Sequence, residues 1–339
     1  MFIDRFCECC AGYFCRSVGV RERRALAALL ALLLDMLFGD PPSRFHPVAW
    51  MGSWIAFLRK QAPRGNALAS FLYGAGTVGG SACVLGLGGW WTAGQLRRRR
   101  YGWLVEGTVL SLFLAWKGLM RAGAAVEKPL GQGDLGEARR MLGWHLVSRD
   151  VSQLDEGLVA AATIESLAEN SSDSVVAPLL WYGVGGLPAV VVYRFLNTAD
   201  AMLGYRDAER EWLGKSAARA DDAANLVPAR LTALLIVAGA AFTGGSSGCA
   251  WRIWRRDAWQ TDSPNAGQPM SAAAGALEVE LEKVGHYRLG EGLARPKADD
   301  IGRARRLITV SVLLGLVAAG ALMSLIPASR PSLRLRRRR

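Results

Sequence analysis

The stretch IESLAENSSDSVVAPLLWYGVGGLPAVVVY, Ile164 to Tyr193, places Glu165, Glu169 and Asp173 four residues apart and then runs without a charge from Ser174 to Tyr193. Residues four apart share one helix face, with Cβ atoms about 6 Å from each other, so the three carboxylates form a single acidic stripe. An unpartnered carboxylate at mid-bilayer costs on the order of 3 kcal/mol even on a lenient insertion scale, and stacked like charges add repulsion. The stripe therefore requires a cationic partner. The apolar run behind it is interrupted by Pro178, Gly183, Gly185, Gly186 and Pro188, which predicts a re-entrant or broken helical hairpin. Such a hairpin returns the following NTAD sequence (Asn197 to Asp200) to the same face as the stripe, and irregular backbone is tolerated at membrane depth where protein covers it.

Outward from this stretch, the 339-residue chain is 51% hydrophobic. That is too apolar for an average soluble enzyme and too polar for a plain transporter bundle. A bilayer core of about 30 Å takes about 20 helical residues. Four uncharged stretches meet that length: Ala67 to Gly94, Ser174 to Tyr193, Leu231 to Trp251 and Leu307 to Ser329. Ala25 to Gly39, which carries Asp35, and Tyr101 to Trp116, which carries Glu106, are shorter candidates for a span, an interfacial helix or a core helix. No alternating strand pattern competes with these, so the expected fold is all-α: a polytopic integral membrane protein with helical polar loops, located in the cell membrane with several passes. Within the polar regions, Gly133 to Trp144 reads as a helix started by Asp134, and Asp155 to Asn170 as a second helix made amphipathic by Leu158, Ile164 and Leu167.

The net charge of +12 concentrates at Arg21 to Arg24, at Arg97 to Arg100 and in the tail RLRRRR ending at Arg339. These runs flank apolar segments, as cytoplasmic faces of membrane proteins do. They do not alternate with aromatics as a nucleic-acid surface would, so no nucleic-acid partner is expected. Residues 1–24, with Cys7, Cys9, Cys10 and Cys15, form a variable appendage. Its CxCC spacing is tighter than zinc ligation prefers, and the following apolar segment reads as a retained first span rather than a cleaved signal, because no small-x-small site precedes Asp35. Cys83 and Cys249 lie in apolar stretches, where inert thiols are the norm. Residues 25–329 form the membrane domain and 330–339 the basic tail.

Further short polar motifs adjoin the apolar stretches: GDPPSRFHPVAWMG (Gly39 to Gly52), SRDVSQLDEG (Ser148 to Gly157), YRFLNTADAMLGYRD (Tyr193 to Asp207), ARADDAANLVPARLTA (Ala218 to Ala233) and SPNAGQPMSAAAGALEVEL (Ser263 to Leu281). Asn, Asp and Arg recur at one-turn spacing, as in Asn197 with Asp200, or Asp221 or Asp222 with Asn225. Carboxylate oxygens suit Mg²⁺, and guanidinium forks suit phosphate. Each motif taken alone also fits helix capping or a local ion pair such as Asp222 with Arg219. Gly214, Lys215 and Ser216 imitate the end of a phosphate-binding loop, but Glu209 stands where its first glycine belongs and no strand precedes it. His46, His145 and His286 are scattered singly and support neither a histidine metal site nor a nucleophilic triad.

In this order, from about Asp35 to Leu307, the motifs closely resemble the adenosylcobinamide-phosphate synthase family of cobalamin biosynthesis, known as CobD or CbiB. Residues 1–24 and the arginine tail fall outside the resemblance. This sequence departs from the family pattern at Gln268, at Gln260 and Thr261, at Ser171 and Ser172, and in EKVGHYRLG (Glu282 to Gly290). The resemblance implies a multi-pass membrane ligase that uses ATP to join adenosylcobyric acid to (R)-1-amino-2-propanol, or its O-phosphate, through an amide bond. It implies ATP and Mg²⁺ as cofactors, and as partners the corrinoid, the aminoalcohol phosphate, membrane lipid and other corrinoid-pathway membrane enzymes.

On that reading Glu165, Glu169, Asp173 and Asp200 are the catalytic candidates, with Glu169, Asp173 and Asp200 holding Mg²⁺. Arg149, Asn170, Asn197, Arg206, Asp222, Arg230 and Asn265 are the substrate-binding candidates. Two other readings stand beside it. A prenyltransferase-like Mg²⁺ enzyme would use NTAD and ADDAAN on helices, although the second motif lacks D-x-x-x-D spacing. A transporter or membrane sensor would line a pathway with the same polar residues.

Overall fold

The computed structural model describes residues 20–205, 207 and 210–325. The cysteine cluster of the appendage, the basic tail and Arg206 lie outside the described residues. Helix α1 (Val20–Phe38) leads through a short 3₁₀ turn (Ser43–Phe45) to α2 (Pro47–Lys60), α3 (Ala67–Arg97), α4 (Gly102–Ser111), α5 (Trp116–Gly131) and α6 (Leu135–His145). Helix α7 (Glu156–Ser171) passes through a π-helical turn (Ser172–Val176) into α8 (Ala177–Gly185), followed by α9 (Leu187–Leu203), α10 (Lys215–Ala240), α11 (Ser247–Asp257) and α12 (Gly267–Leu277). An antiparallel hairpin of β1 (Leu281–Lys283) and β2 (Tyr287–Leu289) precedes the last described helix, α13 (Ala298–Leu325). The fold is all-α, and among the described residues this three-residue pairing and a single parallel bridge between Val279 and Ala294 are its β features.

Four helical stretches are long and apolar enough to cross a membrane: Ala67–Arg97, Gly102–Gly131, Lys215–Ala240 and Ala298–Met323. Helix α3 leaves Leu68, Leu72, Val84, Leu87, Trp90 and Trp91 exposed, the composition of a surface solvated by lipid. Two of the apolar stretches are divided, one against expectation and one as its prolines and glycines predict. Leu231 to Trp251 is not one span: α10 begins earlier, at Lys215, and ends at Ala240, while Trp251 belongs to α11. The break follows from Gly244, whose φ of 72° favours glycine, and from Ser246, whose hydroxyl caps α11 at the Cys249 amide. Asp221 and Asp222 therefore stand within a long apolar helix rather than in a loop.

The second stretch, Ser174 to Tyr193, is the broken helical hairpin that its prolines and glycines predict. Pro178 sits in the first turn of α8, Gly186 turns the chain with φ 70°, and Pro188 sits in the first turn of α9. Helix α9 then crosses α3 at close range, because a Cβ on Gly89 would lie 2.9 Å from the Pro188 Cα and one on Gly86 would lie 3.1 Å from Val192. Small residues that let backbones approach are the usual device for helix association in lipid.

Asp35 and Glu106 were the two charges that interrupted shorter apolar segments. Asp35 proves to be a helix cap: its Oδ2 accepts from the Trp116 and Lys117 amides at 2.8 and 3.2 Å, which starts α5 after the 112–115 break. The same break is tied to the hairpin by the Ala115 amide, which donates to the Ser174 carbonyl. The two expected polar-region helices are present as α6, capped by Asp134, and α7, capped by Asp155. Helix α7 is not amphipathic: Val159 to Ala168 are all buried. It is the central element of the fold, and the domain boundary expected after residue 24 falls inside α1.

Candidate functional site

The polar end of α7, the π turn, α9, α10 and the segment before α12 enclose a cavity of about 280 Å³. Its lining includes Glu169, Asp173, Asp200, Asp221, Asp222 and Asp262, together with Asn225 and Asn265, and no cationic side chain. Five elements supply those carboxylates: α7 gives Glu169, the π turn Asp173, α9 Asp200, α10 Asp221 and Asp222, and the segment before α12 Asp262. The π turn Ser172–Val176 inserts an extra residue into the run from α7 to α8, and turns of this kind recur at functional sites. Here it carries Asp173 to the cavity one turn beyond Glu169.

A hydrogen-bond network fixes the centre of the site. Asn197 of α9 donates its amide to Asp173 Oδ2 and to Asp221 Oδ1, each at 3.3 Å. Asn225 donates to Asp221 Oδ2 at 3.0 Å and accepts from the Tyr193 hydroxyl at 2.9 Å. Arg194 reaches the Asp173 carbonyl at 3.3 Å and Asn197 Oδ1 at 3.1 Å, so it orients the amide that bridges the two aspartates. On the opposite wall, the Asn265 amide donates to the Asp222 carbonyl at 2.8 Å, and its side-chain oxygen accepts from Arg230 at 3.4 Å. Arg230 also packs over the Trp259 ring at 5.2 Å.

The residues expected from sequence divide into groups. Glu169, Asp173, Asp200, Asp222 and Asn265 line the cavity. Asn197 and Arg230 contact its lining residues directly. Glu165 lies one turn further back, buried at 5% exposure, where Arg149, Lys283 and Tyr287 face it. Its Oε1 is buried without a hydrogen-bond partner. Asn170 turns back to its own helix, donating to the Ser166 carbonyl at 2.8 Å. The β1–β2 hairpin is what delivers Lys283 and Tyr287, so the EKVGHYRLG segment acts at the acidic stripe rather than apart from it. Burial pushes the Glu165 and Glu169 carboxyls up to about 7. Lys283 opposes the shift at both, Arg149 at Glu165, and the neighbouring carboxylates add to it at Glu169.

The sequence candidates omitted Asp221, Arg194, Asp262, Lys283 and Tyr287. Asp221 had a signal, its one-turn spacing to Asn225. Lys283 and Tyr287 had none, because only the hairpin fold brings them to α7.

Mg²⁺ fits this donor set. Six hard carboxylates converge without a lining cation, and like charges brought together call for one. Among the described residues no three His, Cys, Asp or Glu side chains form a preassembled ligand cluster.

An all-α membrane protein with a carboxylate-lined cavity between helices is the class that fold and site define together. The family model described as CobD/Cbib protein matches residues 28–313. The chain is 42% identical over 270 residues to "Cobalamin biosynthesis protein CobD" of Dehalococcoides mccartyi, covering 79% of this chain and 87% of that protein. Over 320 residues it is 39% identical to the protein of the same name from Mycobacterium tuberculosis, covering 91% and 98%. It is 35% identical over 311 residues to "Cobalamin biosynthesis protein CbiB" of Salmonella choleraesuis, covering 86% and 95%. No solved structure matches. The chain belongs to the CobD/CbiB family.

Proposed function

We propose that the protein acts in cobalamin biosynthesis as a multi-pass ligase of the cell membrane, joining adenosylcobyric acid to (R)-1-amino-2-propanol or its O-phosphate with ATP as the energy source. The observation that carries this reading is the cavity itself: six carboxylates and no lining cation, in a family whose named members serve cobalamin biosynthesis. Amide formation near neutral pH needs an activated carboxyl. The corrinoid carboxylate attacks the γ-phosphorus of ATP, releasing ADP and giving an acyl phosphate. The aminoalcohol nitrogen then attacks the acyl carbon, the C–O bond to phosphate breaks, and the ammonium proton must pass to a base.

Each residue takes a role in that sequence. Glu169, Asp173 and Asp200 would hold Mg²⁺, which supplies charge neutralisation for the transferring phosphoryl group. Asn197 and Arg194 fix the spacing of Asp173 and Asp221, so the donors need no rearrangement when substrate arrives. Asp222, Asn265 and Arg230 form the wall at which substrate polar groups are received, with Arg206 and Arg149 assigned to anionic groups of the substrates. Glu165 lies beside Arg149 and Lys283, one turn behind the metal-binding set, and serves as the proton acceptor.

Membranes containing the protein, supplied with adenosylcobyric acid, aminopropanol phosphate, ATP and Mg²⁺, test the reading by mass spectrometry of the corrinoid product. A mass increase corresponding to amide formation, dependent on both ATP and the aminoalcohol, is expected. Consumption of an isoprenoid diphosphate instead, or no corrinoid product, would overturn it.

A further inference from the structure

A second and much smaller cleft, of about 30 Å³, lies away from the carboxylate cavity, where the start of α1, the end of α3 and the start of α4 meet. It is lined by Arg23, Arg24, Arg97, Arg99, Trp103 and Glu106, along with Leu96. The two arginine runs are separated by more than seventy positions in the sequence, and only the tertiary fold brings them together. Their convergence is close. An ideal Cβ at Gly186, the tip of the α8–α9 hairpin, would lie 3.4 Å from the Arg24 Nη2 and 3.8 Å from the Arg97 Nη2. Both guanidinium groups therefore flank one backbone turn.

Four cations share this lining with a single carboxylate, Glu106, which is 6% exposed and has a buried Oε1 without a hydrogen-bond partner. The Arg24 Nε is likewise buried and unpartnered. The ion pairs formed elsewhere in the described residues use other arginines. Topology signalling by positive charge requires arginines near a membrane surface, but it does not require them to line one cleft in which a buried donor, the Arg24 Nε, has no partner. Guanidinium groups gathered in this way match a phosphate, which accepts several charge-assisted hydrogen bonds at once.

The surroundings identify the source of that phosphate. Trp90 and Trp91, exposed at 67% and 63%, precede Arg97 on α3 by about 9 to 11 Å of helix, and Tyr101 is exposed just beyond it. Exposed tryptophan and tyrosine beside arginine mark the headgroup level of a bilayer, and basic pockets between spanning helices at that level receive anionic lipid headgroups. We infer that the Arg23, Arg24, Arg97 and Arg99 cleft binds the phosphate of an anionic phospholipid, whose acyl chains lie along the exposed face of α3. Glu106, which shares the lining, attracts Arg24 and Arg97 electrostatically.

The test uses the full chain purified in neutral detergent. Native mass spectrometry and thermal unfolding are recorded with added dioleoyl phosphatidylglycerol, dioleoyl phosphatidylcholine or inorganic phosphate. Phosphatidylglycerol should leave a retained lipid adduct and raise the unfolding midpoint, whereas phosphatidylcholine and inorganic phosphate should do neither. The double variant R97Q/R99Q, on the exposed end of α3 where folding is little affected, should bind phosphatidylglycerol at least tenfold more weakly. R24Q should do the same from the other wall. Unchanged phosphatidylglycerol binding in R97Q/R99Q, or equal binding of phosphatidylcholine, would overturn the site. Stabilisation by inorganic phosphate as large as by phosphatidylglycerol would overturn its assignment to lipid.

Discussion

The side-chain amide of Asn197 stands between Asp173 and Asp221, donating to Oδ2 of the first and Oδ1 of the second at equal distances of 3.3 Å. Two carboxylates from different helices are thereby held at a fixed separation by a neutral group, itself oriented by Arg194. Asn197→Ala removes both hydrogen bonds and leaves the aspartates to repel each other. Corrinoid amide formation should fall at least tenfold, equivalent to about 1.4 kcal/mol of transition-state stabilisation, and the Mg²⁺ concentration for half-maximal rate should rise. A drop in expression with no change in Mg²⁺ dependence would assign Asn197 to the scaffold alone.

Glu169→Gln and Asp173→Asn should each abolish product formation while membrane insertion and yield stay near those of the parent. Under the proposed roles, loss of a metal ligand from a phosphoryl-transfer site costs far more in rate than in folding, and neutralising one member of a repelling carboxylate set relieves repulsion between the others. Product yield measured by mass spectrometry alongside yield in the membrane fraction separates the two effects. Activity within a few-fold of the parent would contradict the assignment.

Burial raises the Glu165 carboxyl from its ordinary 4.5 to about 7, so the folded protein binds this proton more tightly than the unfolded chain does. Its contribution to stability is complete below about pH 4.5 and is lost as the pH rises through about 7, a change on the order of 3 kcal/mol. The thermal midpoint in detergent should therefore fall by a few degrees between pH 5 and pH 8. Glu165→Gln, which stays neutral, should make that dependence shallower, with Glu169, also raised to about 7, carrying part of what remains, and should match or exceed the parent at pH 8. An equally steep slope in the variant would show that Glu165 has no share in the titration.

A methyl group at Gly74 of α3 would sit 2.1 Å from the Leu213 carbonyl oxygen, whereas one at Gly76 would meet nothing within 4 Å. Gly74→Ala should lower stability by about 1 to 3 kcal/mol, because the obstacle is backbone and cannot rotate away. Gly76→Ala should be tolerated. Thermal unfolding of the two variants side by side makes the comparison, and equal midpoints would mean that α3 and the 210–214 segment do not approach as closely as described.

Much of this protein could be read from order alone. The acidic stripe of Glu165, Glu169 and Asp173 and the hairpin behind it follow from one-turn spacing and from the placement of Pro178, Gly186 and Pro188, because local backbone preferences do not depend on distant partners. The caps at Asp134 and Asp155 are local in the same sense. The limits of Leu231 to Trp251 were misjudged because a hydropathy window registers apolarity and not the turn at Gly244. Helix α7 looked amphipathic because its alanines carry little hydrophobic signal, although small residues are what let a central helix be packed from every side.

Apart from the return of Asn197 to Asp173 through the hairpin, tertiary structure decided which polar groups meet. Asp221 reaches Asp173 only because α10 packs against the hairpin, and Lys283 and Tyr287 reach Glu165 only because a β-turn in a polar segment folds back over α7. Asp35, which looked like a misplaced charge in an apolar segment, became the cap of a helix that starts some eighty residues later. The arginines at Arg24 and Arg97, legible as two separate membrane flanks, became the walls of one cleft. Sequence spacing determines which residues share a helix face, since that geometry repeats every turn. Contacts between faces depend on how helices pack, and packing is set by the shapes of many side chains together.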